Sequence, residues 1–290
     1  MLIDCLAGVP VDSSGAFAGC ERMPAALRAA GLVSRLGVPD LGNLQVALAD
    51  PVRDPATGII GFSSLVAASA VIRAATGEML RAGRRPLLVG GCCSVLIGIA
   101  AALGDTAPGA GLAFIDGHLD CYTGITSPSG EAADMELAII LGAGPPALTG
   151  GRRLISPEAV ILLGARDQEE AEQKGAAVPP AIAARLRQIS CEQILAQGPA
   201  AAGRAAADYL GALPGFWAHL DLDVLSTGAL PAVDYPQPGG LDWDQLRDLL
   251  RPLTTAPGFR GMDVTILNPT KDRDGTGARQ VVDLLGDVVA

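Results

Sequence analysis

Residues 112–120, Leu-Ala-Phe-Ile-Asp-Gly-His-Leu-Asp, join a short apolar run to a cluster of polar side chains. The first four residues have the length and composition of a fully buried strand. Asp116, His118 and Asp120 follow at alternate positions. Because side chains alternate along an extended chain, these three point to the same side. The stretch therefore predicts a buried strand that ends in a metal-binding loop.

Apolar runs of the same kind recur along the chain, and alanine-rich stretches of helical composition separate them. Strands separated by helices imply parallel crossover units. We therefore predict an α/β fold, a three-layer α/β/α arrangement with a central parallel sheet, in which residues 1–290 form one domain. The predicted strands are 2–8, 86–89, 112–115, 160–163, 216–222 and 261–267, and the predicted helices begin with 23–30 and 66–81.

Two further strand ends carry polar clusters. Cys92 and Cys93 follow the run at 86–89, and Asp221 and Asp223 lie at the end of a later run. Ligands of parallel sheets bind at the carboxyl ends of strands, so these clusters are expected to meet the first one. A single Asp-x-Asp pair is equally typical of a turn or helix cap. Four converging carboxylates, however, would repel one another unless cations lay between them, and two divalent ions would also activate a bridging hydroxide as nucleophile.

The chain contains only two histidines. His118 lies inside the aspartate cluster and is included in the predicted site. His219 stands two residues before Asp221 within an apolar run. A hydrogen-bonded histidine of the core is the common role at such a position. We therefore leave His219 out of the predicted site.

The composition limits the possible partners. The formal net charge is −10 and no basic run occurs, which argues against nucleic acid and favours a neutral or cationic small substrate. No apolar stretch reaches the roughly 20 residues of a membrane span, and no basic signal-peptide head is present. We expect a cytoplasmic protein without a membrane partner, whose six cysteines are thiols.

At these residues the sequence resembles the arginase, agmatinase and formiminoglutamase (ureohydrolase) family, whose signatures are Gly-Gly-Asp-His-Ser, Asp-Ala-His-x-Asp and Ser-x-Asp-x-Asp-x-x-Asp-Pro. Further landmarks follow in the family's order along nearly the whole chain. They are the first strand, loop and helix at 8–10 and 19–28, Asp-Leu-Gly-Asn at 40–43, Gly-Ala-Arg-Asp at 164–167, Pro-Gly-Gly-Leu at 238–241 and Leu-Asn-Pro at 267–269. The corresponding family motifs are an Asp-x-Gly-Asp turn for 40–43, Gly-x-Arg-Asp for 164–167 and Val-Asn-Pro for 267–269. The resemblance implies a divergent member of this family, assembled as a homotrimer or homohexamer.

The resemblance also implies the metal ligands. One ion would be held by Cys93, Asp116, Asp120 and Asp221, and the other by Asp116, His118, Asp221 and Asp223. Asp116 and Asp221 would bridge the ions, and Asp120 would accept a hydrogen bond from the bridging hydroxide. Both ions are normally manganese in the family. Cys93 replaces a histidine, and a thiolate favours Zn, Fe or Ni there. Alternatively, Cys93 is a core residue that ligates nothing.

The substrate-binding positions depart from the family pattern. Tyr122, Ser129 and Glu131 stand where the family's arginases hold the substrate's α-carboxylate, and a glutamate would repel a carboxylate. Glu169 replaces an aspartate that contacts the substrate amine, so the charge is kept on a longer arm. These positions are expected to bind the substrate.

Two catalytic side chains of the family are missing. Ala133 stands in place of the proton-shuttle histidine, and Ile266 in place of the glutamate that pairs with guanidinium. Glu131, Asp134 and Glu136 offer carboxylates nearby, and Glu136 is expected, like Glu131, to bind the substrate. If their segment enters a helix beside the metals, one of them can take the proton-transfer role and Glu131 can pair with a cationic group. The alternative is that these residues cap the helix N-terminus.

These observations favour a dinuclear metal-dependent hydrolase that cleaves a C–N bond of a guanidino, amidino or related nitrogenous small molecule, but not of arginine itself. A second interpretation is an enzyme that hydrolyses or rearranges another amide or imine in specialised metabolism. A third is a catalytically degenerate partner subunit of an active paralogue. Retention of the aspartates opposes the third interpretation, because clustered carboxylates are costly to keep without cations.

Overall fold

The computed structural model describes residues 2–14, 18–174 and 180–290, and a parallel sheet runs through them. Its eight strands within these ranges are β1 (Cys5–Val9), β2 (Asp40–Asn43), β3 (Pro86–Gly90), β4 (Gly111–Ile115), β5 (Val160–Leu163), β6 (Arg187–Ile189), β7 (Phe216–Asp221) and β8 (Phe259–Thr265). The strand order is β2-β1-β3-β8-β7-β4-β5-β6, and every neighbouring pair is parallel.

Helices cover the two faces of this sheet. They are α1 (Met23–Ala29), α2 (Leu32–Leu36), α3 (Phe62–Arg81), α4 (Val95–Thr106), α5 (Glu136–Ala138), α6 (Pro146–Thr149), α7 (Gln168–Gln173), α8 (Pro180–Ala183), α9 (Cys191–Gln197), α10 (Pro199–Gly211), α11 (Trp243–Thr254) and α12 (Thr276–Val289). Every residue of β1, β3, β4, β5 and β7 is buried. Burial on both faces is typical of parallel sheets in α/β proteins. The predicted three-layer α/β/α fold is confirmed.

All six predicted strands are present, with ends displaced by a few residues, and the helix expected at 66–81 begins at Phe62. Two strands were missed. The segment 40–43, expected as a turn, is a strand whose Leu6↔Asp40 and Gly8↔Asn43 pairing holds it on the sheet edge. The other, β6, has only three residues and lies at the opposite edge. Edge strands are often short and polar, so they lack the apolar run that marks a buried strand.

The last two strands of the chain determine where a ligand can bind. β7 and β8 lie between β3 and β4, which brings the carboxyl ends of four central strands side by side. Crevices at such ends are the usual ligand sites of open α/β sheets. Among the described residues, no helix is long and apolar enough to cross a membrane.

Candidate metal centre

The four predicted aspartates lie together at the carboxyl ends of the central strands. Asp116 follows β4, Asp221 ends β7, and Asp223 lies in the helical turn Leu222–Val224 that continues from it. The exposed fractions of Asp116, Asp221, Asp223 and Asp120 are only 1%, 2%, 5% and 7%. Several buried carboxylates at one place are unfavourable unless cations compensate their charge.

Backbone N–H groups fix the orientation of these carboxylates. The amide of Asp223 donates to Asp221 Oδ1 at 2.6 Å, that of His118 to Asp116 Oδ1 at 2.6 Å, and that of Gly117 to Asp223 Oδ1 at 3.0 Å. Asp116 Oδ2 is buried and has no hydrogen-bond partner in the described part of the chain. His118 Nδ1 lies 2.8 Å from Asp223 Oδ2 and 3.7 Å from Asp116 Oδ1. The loop backbone thus holds one side of each carboxylate and leaves oxygens directed at a common centre.

Arg166 ties this loop to its neighbours. Its guanidinium donates to the carbonyl oxygens of Asp223 at 2.8 Å and Pro238 at 3.1 Å, and its backbone N–H donates to Gly117 O at 3.0 Å. The segments after β4, β5 and β7 are therefore cross-linked around one side chain. A rigid support of this kind holds ligand side chains in place.

The Cys93 thiol is fully buried in the same cluster. Its Sγ lies 2.7 Å from Asp221 Oδ2 and 3.0 Å from Thr265 Oγ1. Burial, and then the negative charge of Asp221, raise the pKa of the thiol well above its usual value. Cys93 is therefore a neutral donor to Asp221 unless a cation supplies the positive charge that stabilises a thiolate.

His219, which sequence reasoning assigned to the core, also reaches this cluster. Its Nδ1 lies 2.6 Å from Asp263 Oδ2, as expected of a hydrogen-bonded buried histidine. Its Nε2, however, is buried with no hydrogen-bond partner. The exclusion of His219 overlooked a signal in the sequence. His219 and Asp221 are two residues apart on one strand, so both face the same side of the sheet.

The side chains of the cluster fit divalent cations. Ligand-type atoms within 4.8 Å of one another form three groups, and Asp116 belongs to each of them. The groups are Cys93, Asp116, Glu136 and His219; Asp116, His118 and Asp120; and Asp116, Asp221 and Asp223. Buried carboxylate oxygens, imidazole nitrogens and a thiol sulfur are the donors that divalent ions bind.

The pKa shifts have the same origin. Burial and then the charge of Asp223 raise the pKa of Asp116 to about 6, and also raise that of Asp221 well above its usual value. Burial and then the charge of Glu136 raise the pKa of Asp120 in the same direction. Like charges without enough cationic partners produce this pattern, and bound cations would relieve it.

A cavity of about 180 Å³ opens above the cluster. We call its metal-side lining, His118, Asp120, Asp221 and Asp223, the cavity floor. Its other side, the cavity wall, includes Tyr122, Ser129, Glu131, Asp134 and Tyr235. The structure thus brings four of the five predicted substrate-side residues between 122 and 136 to the cavity.

The carboxylates of the wall are held by hydroxyl groups. The Tyr235 hydroxyl donates to Glu131 Oε1 at 3.0 Å. The hydroxyls of Ser127 and Ser129 donate to Asp134 Oδ2 at 2.7 Å and 2.6 Å, while Oδ1 is buried without a hydrogen-bond partner. Burial raises the pKa of Asp134 to about 6. Both side chains are therefore oriented in the cavity by neighbouring hydroxyls.

The alternative role of these acidic residues is helix capping. Glu131 precedes the short helical turn Ala132–Asp134 but makes no side-chain cap hydrogen bond, and α5 has none at its N-terminus. No capping hydrogen bond therefore supports the capping alternative among the described residues. Asp134 and Glu136 do lie in first helical turns, and their side chains belong to the cavity lining and to the cluster.

Comparison with known proteins agrees with this geometry. The sequence profile described as the arginase family matches residues 4–290. The chain belongs to the arginase family. It is 29% identical to an arginase of Bacillus caldovelox, over 97% of this chain and 96% of that protein. The crystal structure of the Bacillus caldovelox arginase superposes with a TM-score of 0.88 at 28% identity, over 100% of this chain and 99% of that one.

A more distant structure shares the fold. It is a formimidoylglutamase from Bacillus subtilis, with a TM-score of 0.78 at 18% identity, covering 99% of this chain and 86% of that one. The predicted family resemblance is confirmed, as is the coarse assignment to hydrolases of C–N bonds. The expectation that arginine is not the substrate gains no support, because relatives such as that of Bacillus caldovelox are named arginases.

Two side chains of this arginase-family protein lie elsewhere than expected. Glu136, predicted to bind substrate, is fully buried in the metal cluster and does not line the cavity. Glu169 is exposed on α7, where its carboxylate accepts a hydrogen bond from Gln173 at 3.4 Å. The next residue, Glu170, lines the cavity instead. A helix turns by about 100° per residue, so neighbouring positions face different directions.

Proposed function

We propose that this protein is a metal-dependent hydrolase that cleaves a C–N bond of a guanidino, amidino or related nitrogenous small molecule. The observation that carries the proposal is the buried cluster beneath the cavity floor. Its ligand-type side chains fall into groups that share Asp116. Such an arrangement suits two ions with a common carboxylate between them. The side chains that would hold the two ions are those of Cys93, Asp116, His118, Asp120, Asp221 and Asp223. They belong to one domain, residues 1–290.

Bound divalent ions supply a water of lowered pKa and Lewis acidity toward the substrate. Carboxylate and imidazole ligands suit manganese, the metal that the resemblance implies. The thiol of Cys93 makes zinc, iron or nickel suitable as well.

Asp120 is the side chain best placed to take a proton from the attacking water. It belongs both to the metal cluster and to the cavity lining. Its backbone has φ 45°, a left-handed conformation that non-glycine residues seldom adopt. Strained backbone of this kind is often concentrated at active sites, where the surrounding structure enforces it. This backbone conformation holds the carboxylate of Asp120 at the cavity floor, where it can accept a proton.

Asp134 is positioned to deliver a proton to the leaving nitrogen. Ser127 and Ser129 fix one of its oxygens, and the other has no hydrogen-bond partner among the described residues. The carboxyl group lines the same cavity as His118 and Asp120. It can therefore perform the proton transfer that Ala133, which has no ionisable group, cannot perform.

Glu131 is proposed to bind a positively charged part of the substrate. Its side chain is buried, and Tyr235 orients it. A charge-assisted hydrogen bond to a cationic N–H group is stronger than one between neutral partners. Lys174 also lines the cavity, where it pairs with Glu170. A wall with charges of both signs can hold a substrate that carries a carboxylate as well, so arginine belongs among the candidates.

The test is a substrate panel on the intact protein. The chain is loaded with Mn²⁺ and, separately, with Zn²⁺, Fe²⁺ or Ni²⁺. Each form is incubated with arginine, decarboxylated and N-acylated guanidines, amidines, and imines or amides of similar size. Release of urea, ammonia or an amine from at least one compound is expected. Absence of turnover in every form that carries two ions per chain would overturn the proposal.

A further inference from the structure

Glu136 and His219 carry atoms that the ligand set implied by the resemblance leaves without a role. Both side chains are completely buried, at 0% exposure. Nε2 of His219 has no hydrogen-bond partner among the described residues, and the Glu136 carboxylate has only the neighbouring carboxylate of Asp120. The Glu136 carboxylate and the His219 imidazole each place one ligand-type atom within 4.8 Å of such atoms of Cys93 and Asp116. Buried polar atoms are normally satisfied, so these exceptions require an explanation.

We propose that the ion on the thiol side is bound by Cys93, Asp116, Glu136 and His219, and that this site selects zinc over manganese. The inference rests on the proposed function only in placing a metal at this cluster. The resemblance implies Asp120 and Asp221 as ligands of this ion. In the proposed site Glu136 and His219 take their places, and the sequence alone did not assign either of them to it.

The imidazole of His219 is prepared for metal binding. Its Nδ1 lies 2.6 Å from Asp263 Oδ2, and the Trp217 indole N–H donates to the other Asp263 oxygen at 2.6 Å. With the Nδ1 proton donated to Asp263, Nε2 is the imidazole nitrogen left available to a metal ion. Histidine ligands of metals typically donate their other ring N–H to a carboxylate in this way, which fixes tautomer and orientation.

The four side chains match zinc in number and softness. They offer one sulfur, one imidazole nitrogen and two carboxylates, all within 4.8 Å of one another. Zinc is typically four-coordinate, with bonds of about 2.0–2.3 Å, so its ligand atoms lie roughly 3.3–3.8 Å apart. Small shifts of side-chain ends suffice to reach these separations. A thiolate ligand favours zinc, whereas manganese prefers oxygen donors.

The second ion keeps a different donor set. Asp116 belongs also to the groups with His118 and Asp120 and with Asp221 and Asp223. Those groups contain oxygen and imidazole nitrogen but no sulfur. The two positions therefore differ in chemistry, and Asp116 is the ligand common to both.

The test is spectroscopic and needs no substrate. The metal-free chain is titrated with Co²⁺, which replaces zinc and reports its ligands. A thiolate-to-cobalt charge-transfer band in the near ultraviolet and intense visible bands of four-coordinate cobalt are expected for one of two equivalents. Cys93→Ser should abolish the charge-transfer band. Glu136→Gln and His219→Gln should each weaken binding of that equivalent by at least tenfold, and Asp263→Asn by about 10- to 100-fold.

The discriminating variant is Asp120→Asn, because the ligand set implied by the resemblance requires Asp120 whereas the proposed site does not. The thiolate band should be kept in this variant, with only a small change of affinity because Asp120 lies beside Glu136. The preference of this site for zinc over manganese, measured by competition, should be lost in the variants that weaken the site and kept in Asp120→Asn. Circular dichroism and thermal melting establish that each variant is folded. Glu136→Gln and Asp263→Asn are nearly isosteric, so they keep the test decisive if His219→Gln does not fold.

Two results would overturn the inference. One is a thiolate band that is lost in Asp120→Asn but unaffected by the changes at Glu136 and His219, since Cys93 would then belong to the inherited ligand set. The other is the absence of a thiolate band in the unaltered chain. Neither result depends on turnover. A chain that shows the expected spectra but hydrolyses no compound of the panel would refute the proposed function alone.

Discussion

The cavity floor and the cavity wall differ in how far they follow the arginase family. The floor lies at the ends of buried strands, and backbone N–H groups hold its carboxylates in place. Its residue types agree with the family's signatures. Most of the wall lies on the irregular segment after β4, where Tyr122 and Glu131 depart from the family's residue types, and Tyr235 reaches it from the segment after β7. Scaffold strands hold the reacting groups, while loops can change the ligand that is recognised.

The largest effect is expected from a change in the metal cluster beneath the floor. Asp116→Asn removes the carboxylate that all three ligand groups share. We expect kcat/KM to fall by at least about 10³-fold, the upper range for loss of one electrostatic stabiliser. Metal content should fall below two ions per chain by elemental analysis. Asp105→Asn, which changes a surface aspartate paired with Arg73, is the control and should retain both. Full metal content and turnover in Asp116→Asn would contradict the proposed centre.

A change at the wall beside the floor is expected to follow. Asp134→Asn keeps the shape of the side chain but removes its exchangeable proton. If Asp134 protonates the leaving nitrogen, kcat should fall by about 10²- to 10⁴-fold, while KM changes little. Steady-state kinetics on the best substrate of the panel measure this. A substrate with a better leaving group should recover part of the rate. An unchanged kcat would assign the proton transfer to another group.

A smaller effect is expected where the wall binds charge. Glu131→Gln should raise KM for a cationic substrate by roughly 10- to 150-fold, the equivalent of about 1.5–3 kcal/mol for a hydrogen bond to a charged group. A neutral analogue should be little affected. Glu169→Gln is the matched control, because that glutamate is exposed and lies outside the cavity lining. If the rate falls far more than binding weakens, Glu131 acts as an acid or base, as the interpretation of an amide or imine enzyme predicts.

The smallest effect is expected from the residue that orients Glu131. Tyr235→Phe removes the hydroxyl that donates to Glu131 Oε1. Loss of one such hydrogen bond costs about 0.5–1.5 kcal/mol, so KM should rise by roughly 2- to 12-fold. Combined with Glu131→Gln, the two changes should be less than additive, since they act on one contact. Full additivity in this double-mutant cycle would show that Tyr235 does not act through Glu131 in binding the substrate.

Much of the fold could be predicted because its signals are local. Buried strands are short apolar runs, and the polar residues that follow them are adjacent in sequence. The edge strands β2 and β6 were not predicted, because their residues are largely exposed or only partly buried. Only their pairing with a neighbouring strand defines them. Glu169 was misplaced for a similar reason. Its charge was visible in the sequence, but the direction of the side chain depends on the phase of α7.

The sequence by itself determined the family, the parallel sheet and the residue types that close its central strands, because periodicity and adjacent motifs encode them. Only the tertiary structure decided which of these side chains share a centre. The register of β7 against β8 sets His219 opposite Asp263, and this contact turns the second imidazole nitrogen toward Cys93 and Asp116. The burial of Glu136 beside them likewise depends on packing between segments that are distant in sequence. Contacts of this kind arise from how strands and helices assemble, and no local pattern records them.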